Sequence, residues 1–405
     1  MATHPPVSPV PGRSSGHISQ RYRRSRRSEL AIWWREIDRV LLLLALALMA
    51  IGMAAVAAAS PASARRLSTA AVKLDDLHFF VLHIRWQLLG LVTMFAASQL
   101  SKDMARRLGI AIAAAMLVAL ILVPLIGVEV NGARRWINLG MRFQPSEFLK
   151  PGFAIALAWI LSWRMRDPNL PVVQISIAVI VVVAGLLMMQ PDFGSTILFV
   201  CVWFALVLLS GLSLKRITLI GVAGLTAVAA TLVFYANARH RVTEFLFGGT
   251  AFDQVDLAQR TLLAGGWTGS GLWLGTRKMS LPEAHTDYIF SVIGEEFGLL
   301  VCALIVVLYL ALAVRVLLRL VEEEDLFTVL AAAGLTVQLG AQAFINIFVN
   351  LQLFPSKGMT LPLISYGGSS TIAICLGVGL LLAITRRNPF IGRERVTWRD
   401  IGEDA

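Results

Sequence analysis

The chain contains ten apolar runs that are long enough to cross a lipid bilayer as helices. A transmembrane helix needs about 20 mainly apolar residues. Only 15% of the residues are charged, whereas a soluble domain carries about 25%, so most of the surface does not meet water. The sequence therefore predicts an all-α polytopic membrane protein with about ten transmembrane helices, in the ranges 40–59, 79–98, 108–127, 147–163, 170–189, 195–212, 217–235, 287–314, 327–350 and 367–385.

The first apolar run has to be distinguished from a secretory signal peptide, because Ala62-Ser63-Ala64 after it resembles a cleavage site. A signal peptide has an apolar core of about 7–15 residues close to the N-terminus. Here a tail of about 39 residues precedes a longer run. We therefore interpret residues 40–59 as an uncleaved first transmembrane helix.

Basic residues indicate which helix ends face the cytoplasm. The net charge is +11, and a strongly basic chain often binds nucleic acid. Here, however, arginines and lysines gather in the tails and in short connectors between apolar runs. That distribution fits anionic membrane lipid and not nucleic acid. With ten spans, the positive-inside rule places both termini in the cytoplasm.

This topology predicts three parts of the chain. We expect a disordered basic cytoplasmic tail at 1–38, because its beginning is rich in Pro, Ser and Arg. A ten-helix domain follows at 39–385, and a cytoplasmic C-terminal tail occupies 386–405. The outer side receives the segments 128–144, 190–194, 236–286 and 351–365, of which 236–286 is a large loop between helices seven and eight.

The first polar motif of the outer side combines Arg134, Arg135 and Trp136 with Glu147 and Lys150. Two arginines beside a tryptophan suit a phosphate group and an attached sugar or isoprenoid. Glu147 and Lys150 are three residues apart on a predicted helix, so they share one face near the membrane boundary. The alternative interpretation is an interfacial anchor with a local ion pair.

A second motif, at 281–298, joins the large outer loop to the eighth apolar run. Acidic side chains and a histidine that enter an apolar helix are costly unless they are paired or functional. Asp287 therefore has two interpretations, a helix cap or a functional carboxylate, and His285 stands two residues away. For Glu295 and Glu296 we favour buried hydrogen bonds inside the bundle.

Other polar residues predict packing more than chemistry. Asp192 is expected to cap the seventh helix. Small residues on the helical face of Asp287, among them Gly294, would let another helix approach closely. A stripe of amides repeats every four residues on the ninth span, and we interpret it as contact within the bundle: Gln338, Gln342, Asn346 and Asn350.

The segment 355–370 places Lys357, glycines and serines, including Ser369, at the start of the last span. Irregular backbone at membrane depth is tolerated where it is buried or lines a polar cavity, and it presents free N–H groups to an anion. A plain turn into the helix is the alternative. The sequence contains no P-loop, dinucleotide fingerprint or nucleophile elbow, so no nucleotide cofactor is expected.

Taken in order along the chain, these motifs resemble the shape, elongation, division and sporulation (SEDS) family. The resemblance covers nearly the whole transmembrane region. It rests on the segments Asn131-Gly-Ala-Arg-Arg-Trp-Ile, Gln144-Pro-Ser-Glu-Phe-Leu-Lys, Gln190-Pro-Asp-Phe-Gly, Leu281-Pro-Glu-Ala-His-Thr-Asp-Tyr-Ile-Phe, Gly294-Glu-Glu and Leu361-Pro-Leu-Ile-Ser-Tyr-Gly-Gly-Ser-Ser.

The resemblance implies a peptidoglycan glycosyltransferase that polymerises lipid II and releases undecaprenyl pyrophosphate at the outer face of the bacterial inner membrane. Asp287 matches the family's essential acidic position in the fourth outer loop, so the resemblance implies that it is catalytic. The positions that match the family's cavity, or that we expect to bind substrate beside it, are Arg134, Arg135, Trp136, Glu147, Lys150, His285, Lys357 and Ser369.

The resemblance also implies partners and a branch of the family. It implies lipid II and a lipid-linked glycan as substrates, and a class B penicillin-binding transpeptidase with other division proteins at the septum. A divalent cation, Mg²⁺ or Mn²⁺, is a candidate cofactor at the pyrophosphates. The long basic tail, Phe252-Asp-Gln-Val-Asp256 and Leu361-Pro-Leu-Ile-Ser-Tyr favour the division branch over the elongation branch.

Two alternatives stay open at this point. One is an elongation-type polymerase. The other is a transporter that flips lipid II across the membrane. A flippase needs a polar path that reaches both faces, whereas the charged motifs here crowd the outer side, so the sequence favours the enzyme.

Overall fold

The computed structural model describes residues 26–69, 72–130, 133–138, 140, 142–167, 169–234, 239–240, 243, 246–248, 250–355 and 358–387. The helices are α1 Arg26–Glu36, α2 Arg39–Leu67, α3 His78–Ser98, α4 Lys102–Ile126, α5 Pro145–Ser162, α6 Val172–Met189, α7 Phe193–Leu209, α8 Leu214–Phe234, α9 Thr250–Ala264, α10 Ile289–Phe297, α11 Leu299–Leu320, α12 Leu326–Asn350 and α13 Gly368–Ile384. The strands are β1 Val128–Val130, β2 Ala133–Asn138 and β3 Arg142–Phe143.

Within the described residues, each of the ten predicted spans contains a helix, which confirms an all-α polytopic membrane protein. Among the residues that the structure describes, six helices are long and apolar enough to cross a membrane by length and composition: α2, α3, α4, α6, α11 and α12. The helices α7 and α13 are shorter and also apolar. Most residues of α5, α12 and α13 are buried, including polar ones, so these three helices form the centre of the bundle.

Side-chain caps fix where several spans begin. Asp38 accepts a hydrogen bond from the Val40 N–H at 3.0 Å at the start of α2. Ser101 accepts one from the Met104 N–H at 3.2 Å at the start of α4, and Asp325 caps α12 in the same way. These polar residues satisfy N–H groups that a helix leaves unpaired in its first turn, and they mark the membrane boundary in the sequence.

The predicted eighth span, 287–314, is wrong in one respect because the helix breaks at Gly298. This glycine has φ +85, a left-handed conformation that a residue with a Cβ rarely adopts. The break is stabilised from outside the helix, since Leu299 N–H donates to the Gly266 carbonyl at 3.0 Å and Leu300 N–H to the Trp267 carbonyl at 3.2 Å. The short helix α10 therefore carries the acidic motif as a separate element, ahead of the apolar helix α11.

Two local elements were not predicted from the sequence. The outer segment after α4 forms a small antiparallel sheet in the order β1-β2-β3, with Val128 opposite Trp136. Helix α1 lies within the tail that was expected to be disordered, and its sequence contains neither Pro nor Gly. The rest of that expectation, for residues 1–25, and most of the C-terminal tail, 388–405, lie outside the described residues.

Candidate active site

Asp287 lies in a turn that precedes α10, and its main chain is held by α12. The carbonyl oxygen of Asp287 accepts hydrogen bonds from Asn346 Nδ2 at 2.8 Å and from Asn350 Nδ2 at 3.1 Å. Asn346 Nδ2 also donates to the Met359 carbonyl at 2.6 Å. The amide stripe of α12 therefore joins the Asp287 turn to the segment that precedes α13.

The Asp287 carboxylate has no hydrogen bond or ion pair with any of the residues that the structure describes. It is not a helix cap, because Tyr288 holds the N-cap position of α10 and its side chain makes no capping bond. Asp192 shows the contrasting case: its Oδ1 accepts from the Ser195 N–H at 3.3 Å, so it caps α7 as predicted. The cap interpretation is thus right for Asp192 and wrong for Asp287.

The surroundings of Asp287 favour its neutral form more than water does. Burial raises the pKa of the Asp287 carboxyl to about 7, the negative charge of Glu283 raises it further, and the positive charge of Arg135 opposes both. A carboxyl with a pKa near the ambient pH can take up and release a proton in a reaction. Position and electrostatics therefore both suit Asp287 to proton transfer.

His285 is buried behind this turn and supports it. Its Nδ1 is hydrogen-bonded to Ser63 Oγ at 2.8 Å, and its ring lies 4.3 Å from the Phe79 ring, centroid to centroid. The His285 carbonyl accepts from the Tyr366 N–H at 2.9 Å. Burial, and then the nearby His83, lower the pKa of His285 to about 4. A neutral imidazole with one nitrogen already bonded is a poorer base than the open carboxylate, and its contact with substrate stays a prediction.

Glu147 and Lys150 form a buried ion pair on α5, with Lys150 Nζ 2.6 Å from Glu147 Oε1. Lys150 Nζ also donates to Gln342 Oε1 at 3.1 Å, and Gln342 Nε2 donates to the Thr360 carbonyl at 3.0 Å. Gln342 stands one helical turn from Asn346, so the same face of α12 joins this pair to the Asp287 turn. Within the described residues Glu147 Oε2 is buried without a hydrogen-bond partner.

The three candidates on β2 have different surroundings. Arg135 Nε donates to the Gln190 carbonyl at 3.0 Å, its Nη2 donates to the Pro191 carbonyl, and its Nη1 lies 3.7 Å from Asp192 Oδ1. Arg134 pairs loosely with Glu129 at 3.5 Å and is exposed. Trp136 is partly exposed. Arg135 therefore holds the 190–192 turn in place, while Arg134 is the freer cation.

The last two candidates belong to the segment before α13 and to α13 itself. Lys357 lies outside the described residues. Its neighbour Gly358, at φ +62, is so close to the site that a Cβ there would lie 3.5 Å from Asp287 Oδ2. Ser369 is buried near the start of α13, and its hydroxyl has no hydrogen-bond partner among the described residues. Binding of substrate by Lys357 or Ser369 stays a prediction.

Glu295 and Glu296 make buried hydrogen bonds, as predicted, but their partners lie in the 273–278 turn and not inside the bundle. Glu295 accepts from the Arg277 N–H at 2.7 Å and the Lys278 N–H at 2.8 Å. Glu296 accepts from the Gly275 N–H at 3.1 Å and forms a buried ion pair with Lys278. These contacts fasten the loop to α10 and leave no acidic oxygen open at this end of the helix.

No group of three or more His, Cys, Asp or Glu side chains suited to a metal ion occurs in the part of the chain that the structure describes. A divalent cation at this site would need ligands from the phosphates of a substrate, which is a common arrangement for Mg²⁺. The cation therefore stays a prediction.

Comparison with known proteins decides the family. A family model of cell cycle proteins, which groups FtsW, RodA and SpoVE, matches residues 38–389. The chain belongs to this family. The match extends across all ten spans and both sides of the site, and it confirms the SEDS resemblance found in the motifs.

Individual members of the FtsW/RodA/SpoVE family resemble the chain over most of its length. A probable peptidoglycan glycosyltransferase FtsW from Caulobacter vibrioides is 34% identical, over 93% of this chain and 96% of the relative. Another from Methylococcus capsulatus is 36% identical, over 86% and 89%.

Solved structures resemble the fold as well. A chain from a peptidoglycan synthase complex, studied for its structural coordination of polymerization and crosslinking, has a TM-score of 0.70 and 30% identity, covering 86% of this chain and 97% of that one. The rod shape determining protein RodA of Thermus thermophilus has a TM-score of 0.64 and 28% identity, covering 87% and 97%.

Proposed function

We propose that this protein is a peptidoglycan glycosyltransferase of the division type, which polymerises lipid II into glycan strands and releases undecaprenyl pyrophosphate. Its FtsW relatives are named probable peptidoglycan glycosyltransferases. The observation that carries the proposal is the Asp287 carboxylate, which has no hydrogen bond or ion pair among the described residues, while the amide stripe of α12 holds the Asp287 main chain in place. Sites of this kind, with a perturbed pKa and convergent polar groups, are typical of catalysis.

Asp287 acts as general base in the proposed reaction. Its carboxylate takes the proton from the acceptor sugar hydroxyl of lipid II as the oxygen attacks the anomeric carbon of the lipid-linked glycan. The new glycosidic C–O bond forms while the C–O bond to the pyrophosphate breaks. The electron pair leaves with undecaprenyl pyrophosphate, and Asp287 then releases its proton to solvent. General-base catalysis of this kind contributes about 10²–10⁴ in rate.

The cations have separate roles in this proposal. Arg134 and Lys357 bind the pyrophosphates, because Arg134 is exposed and only loosely paired and Lys357 is next to Gly358, which lies over Asp287. Arg135 acts through the 190–192 turn and through its charge on Asp287. The buried Lys150–Glu147 pair supports the site through Gln342, and Trp136, which is partly exposed, is available to the sugar.

The proposal includes cytoplasmic termini and location at the septum of the inner membrane. Asp38, at the start of α2, pairs with Arg315 at 2.8 Å and Arg319 at 2.6 Å near the end of α11. Lys102, at the start of α4, pairs with Glu323 at 3.3 Å. These contacts gather basic helix ends on one side, and the positive-inside rule makes that side cytoplasmic.

We also propose a class B penicillin-binding transpeptidase as partner, together with other division proteins. The support is a structural relative that belongs to a peptidoglycan synthase complex in which polymerization and crosslinking are coordinated. Pairing the two activities would place a new glycan strand where it is crosslinked.

The deciding experiment adds purified protein in detergent to lipid II, with and without a class B transpeptidase, and separates the products by size. We expect glycan strands from the wild type and none from Asp287→Asn. A flippase needs two compartments and makes no strands, so polymer in detergent would exclude transport as the sole activity. Absence of polymer under both conditions would overturn the proposal.

A further inference from the structure

Helix α10 is capped at its N-terminus by a residue from another helix. The third N–H of α10, that of Ser291, donates to the Tyr288 carbonyl and to Asn350 Oδ1, each at 3.1 Å. Ser291 Oγ donates to the same Asn350 oxygen at 2.7 Å. In most helices this acceptor comes from the side chain of the residue that precedes the first turn. Here Asn350, at the end of α12, takes its place.

The other half of the Asn350 amide bonds to the residue that would otherwise be available to cap. Its Nδ2 donates to the Asp287 carbonyl at 3.1 Å and to the Asn346 carbonyl at 2.9 Å. Asn350 and Asn346 are almost fully buried, at 0% and 2% exposure. If the Asn350 amide were flipped, its N–H groups would face the Ser291 N–H and its oxygen would face the Asp287 and Asn346 carbonyls. The observed partners therefore fix the orientation of the amide.

The position of Asp287 makes this arrangement consequential. Aspartate is among the best N-cap residues, and Asp287 immediately precedes the capping position held by Tyr288. If Asn350 did not accept from the Ser291 N–H, that group would keep only the Tyr288 carbonyl. A small rotation of the turn would then bring the Asp287 carboxylate to the helix end as a second acceptor. The carboxylate would then accept backbone hydrogen bonds and be withdrawn from the site.

We infer that Asn350 caps α10 from α12 and, together with Asn346, positions Asp287 so that its carboxylate faces the substrate and not its own helix. Both asparagines are positioning residues, since neither is placed to touch the reacting atoms. The inference rests on the proposed function for its consequence in catalysis, while the geometric part is testable without activity.

The test compares Asn350→Ala with the wild type by two measurements. The first is lipid II polymerisation across pH. We expect kcat to fall about 10²-fold, as for a misplaced catalytic group, with little change in KM. The second is labelling of Asp287 by a hydrophobic carbodiimide, which reacts with protonated carboxyls, read by mass spectrometry across pH. In Asn350→Ala the midpoints of both pH curves should move to lower pH, because N–H donors stabilise the charged carboxylate.

Two further variants sharpen the test. Asn346→Ala removes the second donor to the Asp287 carbonyl and should reduce kcat with a smaller midpoint shift. Asn350→Asp keeps the acceptor for Ser291 but adds a negative charge, which should move the midpoint to higher pH. The matched control is Gln338→Ala, on the same stripe and also buried, at 6% exposure, which should behave as wild type.

The outcomes separate the two ideas. Wild-type kcat and unmoved midpoints in Asn350→Ala and Asn346→Ala would overturn the inference, as would lower activity with an unmoved midpoint. If Asn350→Ala does not fold, as judged by its melting curve, Asn346→Ala decides the matter in the same way. A wild type that makes no polymer would remove the proposed function, whereas the labelling midpoints would still support or overturn the cap.

Discussion

The two ends of α10 hold acidic residues in opposite conditions. At the C-terminal end, Glu295 and Glu296 are buried and bonded to backbone N–H groups of the 273–278 turn and to Lys278. At the N-terminal end, the Asp287 carboxylate has no such bond among the described residues. The helix is only nine residues long, so the same local fold supports both conditions.

The difference shows what makes a carboxylate functional here. A buried charge is costly unless opposite charges and hydrogen bonds compensate it. Glu295 and Glu296 receive that compensation in full and serve as attachment points for the outer loop. The main chain of Asp287 is hydrogen-bonded, whereas its side chain is not. Because its negative charge is uncompensated, the pKa of the carboxyl is raised toward neutral pH, and the carboxylate is available to a substrate.

The largest expected effect comes from changing the open carboxylate. Asp287→Asn keeps the size of the side chain and the contacts of the Asp287 carbonyl but removes the basic oxygen. We expect the rate of lipid II polymerisation to fall by about 10²–10⁴ with an unchanged melting temperature in detergent. Near-normal polymerisation would mean that Asp287 is not the base, and His285 and Glu283 would be tested next.

Changing the compensated end should instead lower stability. Lys278→Met leaves Glu296 buried without its cation, and breaking one partner of a buried pair costs about 3–5 kcal/mol. The free energy of unfolding, from denaturant titration in detergent, should fall accordingly. The matched control is Arg65→Met. The side chains of Arg65 and its partner Asp76 are 64% and 53% exposed, so this ion pair is worth only about 0–1 kcal/mol. Equal losses in the two variants would contradict the comparison.

The sequence predicted the spans well because their determinants are local. A run of apolar residues with a polar cap at its start requires a membrane helix whatever its neighbours are. The break at Gly298 was missed because it depends on the carbonyls of Gly266 and Trp267, more than thirty residues earlier in the chain. The strands β1–β3 were missed because two to six residues give too short an alternation to recognise.

The sequence singled out candidate residues for the site but not the contacts that connect them. The position and resemblance of Asp287 singled it out, and the stripe on the ninth span was recognised as bundle contact. The sequence could not show that Asn346 and Asn350, 59 and 63 residues away, bind the Asp287 carbonyl. Nor could it show that Arg135 is bonded to the 190–192 turn, because that contact joins segments about 55 residues apart.

The pH dependence of the reaction tests the electrostatic half of the comparison. The pKa of Asp287 is raised to about 7, and a general base acts in its deprotonated form. Activity should therefore rise with pH, by about tenfold between pH 6 and pH 8. The measurement is kcat/KM for lipid II in detergent across this range, with Gln338→Ala as the control that keeps the wild-type curve. A curve that is flat from pH 5 to pH 8 would contradict a raised pKa.

The smallest expected effect concerns Arg135, which acts on Asp287 by charge. Because its positive charge lowers the pKa of Asp287, Arg135→Ala should raise that pKa and move the acid side of the pH–rate curve to higher pH. At pH 7 the rate then falls, and it recovers in part at pH 9. The neighbouring change Arg134→Ala should raise KM for lipid II, because Arg134 pairs only loosely with Glu129 and is the proposed pyrophosphate ligand. It should leave the midpoint of the pH–rate curve in place. A midpoint that moves equally in both variants would mean that the effect is general to outer cations and not specific to Arg135.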